Sequence, residues 1–149
     1  MKLILMRHFY SKRLSFLMLS IIIGALLVLY LSWVSSPKIG EIRFIPSWMA
    51  SWVDTYEFFT IRTAIPFIIL GMLSGWYLNY LKREVLSWFF VWLMLSLLVI
   101  LAELGQYFRP MRSFDWKDIA WGSIGAALGL SLLYAGSLFW GYFLKLKKI

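Results

Sequence analysis

The chain has 149 residues, of which 62% are hydrophobic and 15% charged, against roughly 45–50% and about 25% in soluble globular domains. That length suits one domain, residues 1–149, and the composition excludes an ordinary water-soluble fold. There is no cysteine and one histidine, His8, so disulfides, a thiolate nucleophile and a zinc site with its usual several His or Cys ligands are excluded, and no metal or cofactor is expected.

The first apolar window lies between Arg13 and Lys38 and predicts a membrane helix over about 14–34. Roughly 20 residues at 1.5 Å each cross about 30 Å of hydrocarbon. A basic start before an apolar run also describes a signal peptide. This run is longer than the usual h-region of about 7–15 residues, and no A-x-A-like cleavage site follows it, so a retained anchor is the better reading.

The connection over 35–60 carries Trp48, Met49, Trp52, Val53 and Tyr56 at helical spacing. Trp and Tyr favour the membrane–water boundary, so a short interfacial helix is expected near 47–53. A loop whose aromatics pack on the bundle fits the pattern as well. Asp54-Thr55-Tyr56-Glu57 resembles a capping box opening a second membrane helix over about 58–81. Gly71 and Gly75 form a GxxxG pattern there, which permits close approach of another helix.

After the short Lys82-Arg83-Glu84 turn, a third membrane helix is expected over 85–107. Its charge-free stretch ends at Glu103, and Gln106 lies three residues on, so both share one face. An acid at membrane depth is costly unless paired or hydrated. Pro110 interrupts further helix and holds Arg109 extended. The chain then returns through Arg112, Asp115 and Asp118 into a fourth membrane helix over 115–144. Asp115 is also a natural N-cap. Gly125 and Gly129 repeat the GxxxG pattern, extended backwards by Gly122.

The net charge of +8 follows the same segmentation. Lys2, Arg7, Lys12, Arg13, Lys82, Arg83, Lys145, Lys147 and Lys148 lie at the ends and in the 82–84 turn, opposed only by Glu84. The other two connections hold Lys38, Arg43, Arg62, Arg109, Arg112 and Lys117 against Glu41, Asp54, Glu57, Glu103, Asp115 and Asp118, and cancel. The positive-inside rule then puts both termini in the cytoplasm of a multi-pass cell-membrane protein. The basic excess reports topology and contact with anionic lipid, not nucleic-acid binding. The expected fold is an all-α integral membrane protein with four transmembrane helices in two hairpins.

The balanced charge of the third connection predicts one polar cluster at the outer interface: Glu103, Gln106, Arg112, Asp115 and Asp118, with Arg62 as a sixth member. Three chemistries fit it. The cluster can be an internal salt-bridge lock. It can bind a phosphate-bearing headgroup through arginine. It can also catalyse, with Glu103 as general base and Asp115 or Asp118 as acid or metal ligand.

The series Glu103, Gln106, Pro110, Arg112, Asp115, Asp118, followed by Gly125 and Gly129, resembles the signature of the VanZ-like family, membrane proteins named for a teicoplanin-resistance protein. The stretch Ile61-Arg62-Thr63-Ala64-Ile65-Pro66-Phe67-Ile68-Ile69-Leu70-Gly71 is similar to that family's motif at the start of an earlier membrane helix. Gly122 stands where many members have Asn, and Phe58 stands where an acid-to-His spacing is frequent, so no role of that Asn or His is carried over. The resemblance implies an integral membrane protein associated with glycopeptide resistance, and no known reaction. Two functions follow as expectations. One is a non-enzymatic cell-envelope protein in contact with membrane lipids, binding a lipid-linked wall precursor, an anionic lipid or a lipoglycopeptide. The other is an intramembrane enzyme acting on a lipid headgroup; a structural, partner-scaffolding role stands beside them.

Overall fold

The computed structural model describes residues 2–33, 63–108 and 114–146, with side chains over 12–33, 63–108 and 114–140. The interfacial helix expected near 47–53, the Asp54–Glu57 cap, Arg62 and Arg112 lie outside the described residues. Those described form four helices and no strand: α1 (Lys2–Trp33), α2 (Ala64–Tyr80), α3 (Val85–Tyr107) and α4 (Trp116–Leu146). Three of them contain spans long and apolar enough to cross a membrane, Lys12–Trp33, Val85–Tyr107 and Trp116–Trp140, and α2 is a shorter apolar helix. α1 extends back through the basic segment before residue 14, because hydropathy marks the oily part of a helix and not its hydrogen-bonded length. α2 is described from Ala64, so the first residues of its expected span fall outside.

α2 and α4 make the tightest pairing. A Cβ added to Gly71 would lie 2.6 Å from the Ala126 carbonyl oxygen and 3.1 Å from the Leu130 nitrogen. At Gly129 it would run into the Ile68 carbonyl and lie 2.9 Å from the Met72 nitrogen; at Gly125 it would run into the Ala64 carbonyl. These are backbone atoms, which cannot rotate aside. The matched positions advance together, from Ala64 with Gly125 to Gly75 with Leu133, so α2 and α4 run in the same direction. Lipid tails are as apolar as leucine, and close van der Waals packing of this kind is what holds helices together in a bilayer.

α3 completes the core from the other side. Phe67, Leu70, Val99, Ala126 and Leu130 are buried where α2, α3 and α4 meet. Two side chains reach across to α4 backbone: Asn79 Nδ2 donates to the Leu133 carbonyl at 3.1 Å, and Trp92 Nε1 to the Ser123 carbonyl at 3.1 Å. α1 lies against α2 and α3 with most of its large apolar side chains exposed, as expected of a helix facing lipid.

The α2–α3 turn is closed by its own backbone. Lys82 takes φ 52°, and Lys82 and Arg83 N–H donate to the Asn79 and Leu78 carbonyls at 3.1 and 3.0 Å. This is the Schellman termination, in which glycine is the usual left-handed residue. It reverses the chain within four residues and fixes the level at which α3 begins.

Gly125→Leu and Gly129→Leu are expected to cost at least the 1–3 kcal/mol typical of overpacking (about), because backbone would have to separate. Gly136, whose added Cβ meets nothing within 4 Å, supplies the control Gly136→Leu. Thermal stability in detergent should fall for the first two variants and hold for the third.

Candidate functional site

The site is built on the last turns of α3. Glu103 and Gln106 share a face, and both are buried, at 2% and 7% exposure. Gln106 Nε2 donates to Glu103 Oε1 at 2.8 Å. The second carboxylate oxygen, Oε2, accepts the backbone N–H of Asp115 at 3.3 Å. Glu103 therefore ties the end of α3 to the residue immediately before α4. A carboxylate this deep is tolerable because it receives donors on both oxygens; such charge-assisted bonds are the strong ones.

Asp115 serves a different purpose from Glu103. Its side chain is exposed, and Oδ1 accepts the Lys117 N–H at 2.8 Å. Its carbonyl accepts the Asp118 N–H at 3.1 Å. This is an N-cap, with the acid satisfying a donor left over by the first turn of α4. Asp118, half-buried in that turn, places negative charge at the positive end of the helix dipole. Neither it nor Glu103 is without further partners.

Of the residues singled out in the sequence, Glu103, Gln106 and Asp115 are brought into direct contact, and Asp118 follows within one turn. Arg62 and Arg112 lie outside the described residues. Gly71, Gly75, Gly125 and Gly129 stand on the α2–α4 contact, with Gly125 two turns beyond Asp118. Among the described residues, no three His, Cys, Asp or Glu side chains are grouped to hold a metal ion.

Two residues join the site that the sequence reading passed over. Trp33, the last residue of α1, donates its indole Nε1 to the Ala102 carbonyl at 3.2 Å. Its ring occupies the space a side chain at Gly105 would need. Gly105 is the sole glycine of α3, and an isolated glycine inside a helical pattern is the available signal of a close approach. The pairing brings the end of α1 onto the turn that carries Glu103 and Gln106. Tyr107 and Phe108 at the end of α3, and Trp116 at the start of α4, are exposed. Phe114 and Trp116 meet edge to face at 4.9 Å, as Tyr107 and Phe108 do at 5.8 Å. Aromatic rings concentrated at one end of apolar helices mark a membrane boundary.

The chemistry available follows from the hydrogen bonds. A carboxylate offers about four lone-pair sites, and the Glu103 oxygens already accept an amide and a backbone donor in a buried position. That arrangement holds the α3–α4 connection in one geometry better than it serves a mobile proton. Glu103→Leu would leave Gln106 Nε2 and the Asp115 N–H without these acceptors, at about 1–3 kcal/mol for each buried donor. Glu103→Gln keeps one acceptor and should lose less. Melting of the two variants in detergent should rank wild type, Gln, then Leu; equal stability of Leu and wild type would dismiss the bridge.

No curated protein and no solved structure matches the chain. The model of the VanZ/LLP1 family matches residues 14–140, from the apolar part of α1 to the end of the α4 span, and takes in Glu103, Gln106, Asp115 and Asp118. With its apolar helices and its polar connection between α3 and α4, the chain belongs to the VanZ/LLP1 family and is a VanZ-like membrane protein.

Proposed function

We propose that this protein is a non-enzymatic component of the bacterial cell envelope. It binds an amphipathic envelope molecule at the Glu103 end of the bundle and so contributes to resistance to glycopeptides such as teicoplanin. The ligand class is a lipid-linked wall precursor, an anionic lipid or the lipoglycopeptide itself. The observation that carries the reading is the buried Glu103–Gln106 pair bonded to the Asp115 N–H. It gives a fixed polar platform at the end of α3, where Tyr107, Phe108 and Trp116 are also exposed. Polar groups prearranged in this way cost little to order on binding. The sequence that follows α3 contains Arg109 and Arg112, cations suited to phosphate or carboxylate.

This reading places the site on the outer face, with four spans in two hairpins and both termini in the cytoplasm, following the asymmetry of basic residues. A reporter fused after residue 149 should be active only in the cytoplasm, and one inserted in the 35–60 connection only outside. The opposite pattern would put the Glu103 end inside and remove access to any wall precursor on the outer face.

Arg112→Ala tests the site itself. The variant should accumulate and melt like wild type while losing the increase in teicoplanin tolerance that expression of the wild-type protein confers on a sensitive strain. Lost stability would instead mark Arg112 as part of an internal lock, and retained tolerance would remove it from the site.

A further inference from the structure

The last turn of α3 is held from two sides. Glu103 and Gln106 form one stripe of the helix, bonded to the start of α4 through the Asp115 N–H. Ala102 and Gly105 form the neighbouring stripe, about 100° round the helix, and α1 meets it. Trp33 Nε1 donates to the Ala102 carbonyl at 3.2 Å, and the indole lies where a side chain at Gly105 would be.

The indole bond lands on a carbonyl that the site already uses. Within an α-helix the Ala102 carbonyl accepts the N–H of Gln106, one turn on, and its oxygen has a second lone pair to offer. Trp33 takes that second position. One path of hydrogen bonds therefore runs from α1 to the Ala102 carbonyl and Gln106, from the Gln106 amide to Glu103, and from Glu103 to the Asp115 N–H. The last turn of a helix frays most easily, because its own carbonyls lack partners further on. α1 has little else to grip with near this turn. Among its described side chains only Leu17 and Val28 are buried, and Val28 lies more than a turn before Trp33.

We infer that Trp33 is a positioning residue for the Glu103 site. It keeps the last turn of α3 wound, so that Glu103 reaches the Asp115 N–H, and it makes α1 part of the site. This role presupposes the binding site proposed above at Glu103, whereas the hold on the turn does not. The rival role is that of a plain anchor, since Trp commonly sits at the membrane boundary. An anchor acts through its ring, and needs neither the indole N–H nor a bare Gly105.

Backbone hydrogen exchange of the full chain in detergent micelles, read residue by residue by NMR, separates the two. Trp33→Phe keeps an aromatic ring and removes the N–H. Exchange at the Gln106 and Asp115 amides should quicken about fivefold, the worth of one net hydrogen bond, while α2 amides from Phe67 to Leu78 stay as in wild type. Gly105→Ala supplies a change of sign. Alanine normally steadies a helix relative to glycine, but with Trp33 in place the added methyl group displaces the ring, and exchange at both amides should quicken. In a Trp33→Ala background, where the ring is gone, the same Gly105→Ala change should slow it. Unchanged exchange at Asp115 in Trp33→Phe, or slower exchange in Gly105→Ala alone, would overturn the role and leave an anchor. Teicoplanin tolerance conferred by the wild type should fall in Trp33→Phe; full tolerance despite quickened exchange would also overturn it. A wild type that confers no tolerance would sink the proposed function instead, and the exchange rates would still decide whether Trp33 holds the bridge.

Discussion

The contact between α2 and α4 sets the frame for everything else in the bundle. With carbonyls of Ala64, Ile68 and Ala126 lying where glycine side chains would be, the two helices cannot slide or rotate without backbone collision. In water, burial of apolar area would hold such helices together with some tolerance for slippage. In lipid that drive is absent, and only close shape and a few hydrogen bonds remain. The bundle therefore owes its register to positions with no side chain at all.

That register places two seams on α3. At one end it brings the start of α4 within reach of Glu103, whose carboxylate accepts the Asp115 N–H. At the other, Trp88 and Tyr134 meet edge to face and line an apolar groove between α3 and α4. Between them, Val99 packs where Gly122 leaves room: a Cβ there would come within 2.7 Å of the Val99 methyl group. The same helix pair is thus tight at its centre and polar at one end, and carries an apolar opening near the other.

The two ends handle charge in opposite ways. Glu103 is buried and satisfied from inside, so it stiffens the connection around it. Lys82 and Arg83 are exposed in the turn beside Glu84, the equally exposed acid at the start of α3, so the charge of this turn stays at the surface. The first arrangement fixes a connection from within, and the second leaves a turn open to its surroundings.

Local chemistry made much of this legible from the sequence alone. Hydropathy is a property of consecutive residues, so the spans near 14–34 and 85–107 could be read directly, and so could the shared face of Glu103 and Gln106 and the cap at Asp115. The start of α1 could not, because an α-helix need not end where the oily residues do. The GxxxG patterns announced that Gly71 and Gly125 meet something, but a glycine does not name its partner. That α2 lies on α4, and runs parallel to it, is decided by backbone fitting against backbone. Nor could the sequence say that Glu103 reaches the Asp115 N–H, or that Trp33 bonds the Ala102 carbonyl 69 positions on and covers Gly105. Those depend on where helices distant in the chain come to rest, which only the tertiary structure determines.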